Sequence, residues 1–201
     1  MTIPRAEFQD ELIYPQGTAC DGTSLFVADD SDGAVHRLRL SDCRLTGSTQ
    51  AQLLASPAGV ALTEDASALY VADAYQHCIV AFSTRTLDRL LSFGSMGARH
   101  GELSFPEGLV IHNKEVIVAD CENHRVSAFT LSGAHKRCFG TLGDGPGQMK
   151  SPCDVSICCE RLVVIDELRL QVCTQLSGSR ISRLRHSHPD SDHAPCVPSI
   201  Q

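Results

Sequence analysis

The sequence is poor in aromatic residues and contains no long hydrophobic segment. It has no tryptophan, and aromatic residues make up only 5% of its 201 residues. No apolar run approaches the roughly 18 residues that a membrane-spanning helix requires. The first residues also lack the apolar segment of a secretory signal peptide. We therefore expect a cytoplasmic protein that makes no contact with a membrane.

Basic residues and paired cysteine motifs are scarce as well. The formal net charge is −7, which disfavours a protein that binds duplex nucleic acid through a basic face. None of the ten cysteines forms a Cys-x-x-Cys motif. We expect reduced cysteines that are buried as small apolar residues rather than a disulfide framework. The adjacent residues Cys158 and Cys159 lie in a strand pattern, and we interpret them as a buried pair.

The sequence does contain one motif that is repeated four times. Each copy has a turn that begins with proline, an apolar strand that ends in aspartate, a short loop and another strand. The prolines fall at positions 15, 57, 106 and 152, and the aspartates at positions 29, 73, 120 and 166. Successive aspartates are 44 to 47 residues apart, and this spacing gives the period. A period of this size, filled by short strands and turns, is typical of a propeller blade.

The third copy shows what one period contains. Residues 108–112 read as an inner strand, and residues 115–119 form the near-continuous apolar run of a strand that is covered on both faces. Residues 125–129 alternate between polar and apolar, and a fourth strand ends at Phe139 before a glycine-rich link. The fold class predicted is all-β: a β-propeller of four-stranded antiparallel blades. It has about four blades, either as a closed set or as an incomplete six-bladed ring.

The repeats also predict the domain boundaries. The propeller is expected to span residues 14–184. Residues 185–201 are polar, rich in histidine and proline and without pattern, so we expect a disordered tail. Residues 10–15 resemble residues 101–106, which form a link between two blades. Residues 1–13 therefore supply a closing strand or are the remnant of a link from a preceding blade.

These repeats resemble the NHL repeats, the propeller modules of tripartite-motif ubiquitin ligases and of many bacterial and protist proteins. The resemblance covers about residues 10–184, and the third copy matches the family signature in full. The residues that carry the repeat motif are Asp29, Asp73, Asp120, Asp166, His77, Asn123, His124 and Arg125. The resemblance implies a propeller, usually of six blades, that serves as a protein-interaction scaffold and recognises substrates for ubiquitination.

We interpret the repeated residues as structural. Each aspartate is expected to accept backbone N–H groups of its own hairpin loop, as aspartate commonly does. In every copy an apolar residue of the next strand follows the aspartate by six positions, at Val35, Ile79, Val126 and Val172. His77 and His124 share a repeat position, but two ligands without a third do not make a zinc site. We predict no catalytic residues, no metal and no cofactor, and the sequence does not identify the binding residues.

Three functions stay open at this point. The leading hypothesis is a non-catalytic scaffold for protein partners. The second is an RNA-binding propeller, for which the basic residues of the middle blades would be needed: Arg99, His100, Lys114, Arg125, Lys136, Arg137 and Lys150. The third is a metal-dependent lyase or hydrolase, since related propellers bind Ca²⁺ or Zn²⁺ in the central channel.

Overall fold

The described residues of the protein form four consecutive four-stranded antiparallel sheets. The structure is a computed structural model that describes residues 12–167, 169–173 and 181–183. The sheets are blades 1 to 4 of a β-propeller, so the predicted all-β fold and the predicted number of blades are confirmed. The expected tail at 185–201 and nearly all of the segment 1–13 lie outside the described residues.

The strands follow one another along the chain without crossovers. Blade 1 contains β1 (Pro15–Cys20), β2 (Ser24–Asp29), β3 (Ala34–Arg39) and β4 (Leu45–Ser48). Blade 2 contains β5 (Pro57–Leu62), β6 (Ala68–Asp73), β7 (Cys78–Ser83) and β8 (Arg89–Phe93). Blade 3 contains β9 (Pro106–His112), β10 (Glu115–Asp120), the 3₁₀ turn Cys121–Asn123, β11 (Arg125–Thr130) and β12 (His135–Phe139). A link with β13 (Thr141–Leu142) and β14 (Gln148–Met149) leads to blade 4, which contains β15 (Pro152–Cys158), β16 (Arg161–Asp166), β17 (Arg169–Cys173) and β18 (Ile181–Arg183).

The first strand of every blade lies at the propeller axis. These inner strands pack in series, β1 on β5, β5 on β9 and β9 on β15. Within the described ranges no comparable packing joins β15 back to β1. The four blades are therefore arranged as an arc around the axis.

Glycine is required where neighbouring inner strands approach each other. A Cβ atom added at Gly17 would lie 2.2 Å from the carbonyl oxygen of Ala58, and one added at Gly59 would lie 2.5 Å from that of Glu107. Both distances are too short for a side chain, which explains the glycine after each repeated proline. The fourth copy carries the exposed Asp154 at this position. An inner strand set against Asp154 at the same spacing would collide with its side chain.

Each junction between two blades has its own apolar core, and a side chain of the intervening link completes it. Leu54 completes the core between blades 1 and 2, Leu103 the core between blades 2 and 3, and Met149 the core between blades 3 and 4. Their side chains are 3%, 0% and 0% exposed. Each precedes the repeated proline by three positions, as Leu12 does in the first copy. The links are therefore part of the core rather than loose connections.

The fourth repeat departs from the predicted spacing. In the first three blades four residues separate the aspartate from its partner on the next strand, as between Asp120 and Arg125. In blade 4 Asp166 pairs with Arg169, so this hairpin is two residues shorter. The equivalent of Val126 is therefore Leu170, and the expected match of Val172 to that position is wrong. Only two residues separate the paired Asp166 and Arg169, and the first of them, Glu167, has a φ of 47°.

The buried link residues lead to a first prediction. Replacing Leu103 with alanine leaves a cavity between blades 2 and 3 and is expected to lower the free energy of unfolding by about 2–5 kcal/mol. Met96 lies in the same link with 74% of its surface exposed. Its replacement by alanine is expected to change stability by less than about 0.5 kcal/mol. Urea denaturation of both variants measures the difference, and equal losses would show that the link does not contribute to the core.

Candidate functional site

The four repeated aspartates join each blade to the link that enters it. All four are buried, with at most 1% of their surface exposed. Asp29 accepts hydrogen bonds from the backbone N–H groups of Ile13 and Tyr14 at 2.9 and 3.1 Å. Asp73 accepts the equivalent bonds from Ala55 and Ser56 at 2.9 and 3.1 Å. The donors lie 15 to 18 residues before the carboxylate that binds them.

The other two copies repeat this contact. Asp120 accepts from the N–H of Ser104 at 2.7 Å, and Asp166 accepts from those of Lys150 and Ser151 at 2.7 and 2.9 Å. We expected donors from the hairpin loop that follows the aspartate, and such donors are present in some copies. One example is the N–H of Ser31, which lies 2.8 Å from Asp29. The contact with the preceding link is present in all four copies, and the sequence interpretation missed it.

Burial and hydrogen bonds have opposite effects on the pKa of Asp29. Burial raises the pKa of this carboxyl, but hydrogen bonds from Ser31, Tyr14 and Ile13 outweigh it and leave the pKa below the usual value. The carboxylate is therefore charged at neutral pH. It stabilises the fold above the ordinary aspartate pKa, and this contribution is lost as the pH falls through the lowered value.

Asn123 and Arg125 hold the same link as Asp120. The guanidinium of Arg125 donates to Asp120 at 2.7 Å and to the carbonyl oxygens of Ala98 and Glu102 at 2.8 Å each. Asn123 Nδ2 donates to the carbonyl of Gly97 at 2.8 Å and to Asp120 at 2.9 Å. The motif residues of the third copy thus surround the link between blades 2 and 3 with hydrogen bonds.

His77 and His124 bind the link that follows their blade. Both residues have a left-handed backbone, with φ of 52° and 54°. Nδ1 of His77 accepts the N–H of Phe105 at 3.1 Å, and Nδ1 of His124 bonds to the carbonyl of Lys150. Each ring is therefore engaged by a different link. The structure does not bring the two histidines together as a pair of metal ligands.

A separate cavity of about 610 Å³ lies at the propeller axis, where the inner strands begin. Its size is in the range of ordinary ligand sites. In each copy one residue lies between the repeated proline and the glycine position, and all four of these residues line the cavity. They are Gln16, Ala58, Glu107 and Cys153, which differ in chemistry. The repeat motif thus builds the wall of this axial cavity, and the lining residue that follows each proline differs from copy to copy.

The axial cavity is acidic. Asp30, Glu107 and Asp154 line it, and no lysine or arginine is among its lining residues. Burial raises the pKa of Glu107, the charge of Glu122 adds to this effect, and a hydrogen bond with Cys121 opposes it. Burial and the charge of Glu107 in turn raise the pKa of the Cys121 thiol to about 12. Cys121 is therefore a neutral thiol and no nucleophile, whereas Glu107 is a carboxyl group without a basic partner among the lining residues.

Two aromatic rings stand at the edge of the axial cavity. Tyr75 is 64% exposed, and its ring meets that of Phe105 edge-on at a centroid distance of 5.4 Å. Phe105 is fixed from the other side by the ring of His77 at 4.9 Å. An exposed tyrosine that is oriented by a fixed neighbour offers a ring face to a ligand at low cost in side-chain entropy.

The basic residues of the middle blades do not form a free basic surface. Arg125 is buried against Asp120, as described above, and Lys150 pairs with Asp144 at 3.1 Å. Lys136 and Arg137 both pair with Glu115. Carboxylates of the same blades or links therefore neutralise most of the cluster that an RNA-binding face would need.

Two kinds of feature are absent from residues 12–167, 169–173 and 181–183, the residues that the structure describes. This part of the chain contains no group of three histidine, cysteine or acidic side chains placed to hold a metal ion. It also contains no helix of the length and apolar character that would cross a membrane.

The four blades, the axial cavity and the carboxylates that bind the links define an NHL-type repeat propeller. The chain belongs to the SMP-30/Gluconolactonase/LRE-like region family, whose pattern matches residues 2–140. Its curated relatives include RING finger protein nhl-1 of Caenorhabditis elegans, 37% identical over 75 residues, and Protein brain tumor of Drosophila melanogaster, 33% identical over 66 residues. The resemblance to NHL repeats is confirmed. The matches cover 37% and 32% of this chain but only 8% and 6% of the two relatives.

Solved structures share the fold at low sequence identity. Kuenenia stuttgartiensis hydrazine synthase has a TM-score of 0.69 at 19% identity, and the match covers 92% of this chain and 53% of that one. Virginiamycin B lyase of Staphylococcus aureus has a TM-score of 0.70 at 11% identity, over 90% of this chain and 59% of that one. A chain of a nidogen/laminin complex has a TM-score of 0.67 at 18% identity, over 83% and 63%. These similarities establish the propeller architecture and not a shared activity.

The raised pKa of Glu107 leads to a second prediction. The folded protein holds this proton more tightly than the unfolded chain does, so ionisation of Glu107 costs stability. This loss of folding stability is absent when the pH is below the ordinary glutamate pKa of about 4.3, and it is complete when the pH is above the raised pKa of Glu107. Glu107→Gln is therefore expected to be more stable than the wild type at neutral pH, with a difference that shrinks as the pH falls. Urea denaturation over this pH range measures it.

The exposed Glu167 provides the matched control for that measurement. Glu167→Gln should leave stability unchanged relative to the wild type across the pH range. A Glu107→Gln variant that is less stable than the wild type at neutral pH would show that the carboxylate contributes to the fold rather than being held at a cost.

Proposed function

We propose that this propeller is a non-catalytic protein-interaction module that binds a partner protein at the axial cavity. One observation carries the proposal: the cavity is lined by the variable residues of an otherwise repeated motif. Glu107 and Asp30 lie there beside the exposed ring of Tyr75. Repeated residues serve the scaffold, whereas variable residues on a rigid scaffold are where binding functions concentrate.

The chemistry of the axial cavity favours a positively charged side chain of the partner. A lysine or arginine would meet carboxylates that have no cation among the lining residues, and charge-assisted hydrogen bonds of this kind are strong. The face of an exposed tyrosine also attracts a cation. The unfavourable ionisation of Glu107 in the free protein would be relieved by such an occupant.

The relatives support a role in recognition. RING finger protein nhl-1 and Protein brain tumor are NHL-repeat proteins, and this chain matches part of each. We extend the proposal to recognition of a substrate for ubiquitination, which the RING finger in the first relative's name supports. A cytoplasmic location belongs to the same proposal. It is supported by the eight cysteines whose side chains the structure describes, since all eight are free, as thiols are in a reducing compartment.

Two other functions are less well supported. An RNA backbone would meet the carboxylates of the axial cavity, and most of the basic cluster is paired with acidic residues. A metal-dependent lyase or hydrolase has support from the family description, which includes gluconolactonase, and from the fold of virginiamycin B lyase. Against it, the described residues do not gather three metal-ligating side chains.

The proposal predicts selective binding of cationic peptides. We would titrate the protein with a short capped peptide, Gly-Ser-Lys-Ser-Gly, and with the same peptide carrying glutamate in place of lysine, and follow the backbone amides by NMR. The lysine peptide should shift the signals of Ala58, Glu107 and Tyr75. Glu107→Gln should weaken its affinity about tenfold, which corresponds to about 1.4 kcal/mol.

Glu64→Gln is the matched control, because Glu64 lies in the turn at the opposite end of β5. It should leave the affinity for the peptide unchanged. Equal binding of both peptides, or signals that shift at the opposite face, would contradict the proposal. RNA binding at about 50 mM salt, where the phosphate contribution is strong, would favour the RNA-binding function instead. Metal retained by purified protein would favour the lyase or hydrolase.

A further inference from the structure

Two adjacent cysteines are exposed at the end of the inner strand of blade 4. Cys158 is the last residue of β15, and Cys159 begins the turn to β16. Both side chains are exposed, and their Sγ atoms lie 3.9 Å apart. The expectation that they form a buried pair is therefore wrong. Cys158 lies on the exposed face of β15 with Asp154 and Ser156, and Cys159 lies in the turn that follows, so both thiols are exposed.

The backbone at this turn is unusual for the residues that it contains. Cys159 and Glu160 have φ of 49° and 58°, and Cys158 pairs directly with Arg161. Such two-residue turns favour asparagine and glycine at their central positions. Blade 3 follows this preference in part, with Asn113 at the equivalent turn position. A cysteine in this conformation carries backbone strain, and strain of this kind is concentrated at functional positions.

We propose that Cys158 and Cys159 form a redox-active dithiol that a hydroperoxide oxidises to a disulfide between adjacent residues. The two sulfur atoms are already neighbours, they are open to solvent, and the turn that holds them is independent of the axial cavity. The site lies at the end of β15 opposite to Cys153, which lines the cavity.

The two thiols have distinct roles in this reaction. The hydrogen bond to Cys159 raises the pKa of Cys158, and the negative charge of Cys159 adds to this effect. The S–H of Cys158 donates to Sγ of Cys159, and this hydrogen bond would stabilise a thiolate at Cys159. Thiolates rather than thiols are the nucleophiles.

The reaction balances in two steps. The Cys159 thiolate attacks the hydroperoxide, so that an S–O bond forms, the O–O bond breaks and an alcohol leaves with one thiol proton. The sulfur of Cys158 then attacks the sulfenic acid of Cys159, the S–S bond forms, and the hydroxyl group leaves as water with the second proton. Two thiols and one hydroperoxide thus give one disulfide, one alcohol and one water.

The resulting disulfide is expected to be easily reduced. Adjacent Cα atoms lie about 3.8 Å apart across a trans peptide bond, which is below the usual separation in disulfides. A strained and exposed disulfide is of the labile kind that serves regulation rather than stability. The pair is therefore suited to reversible oxidation in a reducing compartment.

Mass spectrometry of the full chain tests this proposal. Reduced protein is treated with a small excess of tert-butyl hydroperoxide, alkylated with iodoacetamide and digested with trypsin. The peptide spanning residues 151–161 contains Cys153, Cys158 and Cys159. It should carry alkyl groups on all three cysteines before oxidation and on Cys153 alone afterwards, with two hydrogen atoms fewer. Dithiothreitol should restore full alkylation.

Three variants separate the proposal from other outcomes. Cys153→Ser should still form the disulfide, which excludes pairing of Cys153. Cys158→Ser should leave a sulfenic acid at Cys159 that dimedone traps, and Cys159→Ser should react more slowly. The proposal is overturned if residues 151–161 stay fully alkylated under conditions that oxidise the exposed Cys20 and Cys43. It is also overturned if the product is a disulfide between two chains.

Discussion

The arrangement of the blades depends on a buried carboxylate that binds the backbone of the incoming link. In every repeat the aspartate at the end of the second strand accepts N–H groups that lie 15 to 18 residues earlier. This contact fixes the link just before the repeated proline. It therefore sets the start of the inner strand, the packing of the link side chain into the core and the residue that faces the axis.

The local parts of the fold could be predicted from the sequence, because strand and turn signals act over a few residues. The period of the prolines and aspartates predicts four blades, and the inner strand expected at residues 108–112 lies within β9. The partners of the aspartates could not be predicted, because their donors belong to the preceding link. The shorter hairpin after Asp166 was missed because Val172 is also apolar and follows Asp166 by the expected six positions. The exposure of Cys158 was missed because a cysteine in a strand was taken as a small apolar residue, whereas Cys158 lies on the exposed face of β15.

Two features had a signal in the sequence that the interpretation did not use. Leucine or methionine precedes each repeated proline by three positions, and Leu54, Leu103 and Met149 fill the cores between blades. The residue after each proline varies while its neighbours repeat, and Glu107 and Cys153 at this position line the axial cavity. Variation inside a repeated motif thus distinguishes the proposed binding surface from the scaffold, and the aspartates and histidines belong to the scaffold.

The central claim is that the buried carboxylates, and not apolar packing alone, hold the links in place. The most direct test is the free energy of unfolding of Asp73→Asn, measured by urea denaturation against Asp88→Asn, which alters an exposed carboxylate of the same blade. Asparagine keeps one acceptor oxygen but is uncharged and places an N–H donor where the second oxygen was, so one of the N–H groups of Ala55 and Ser56 loses its charged acceptor, at an expected cost of about 1–3 kcal/mol. Asp88→Asn should change stability by less than about 0.5 kcal/mol. An Asp73→Asn protein as stable as the wild type would contradict the account.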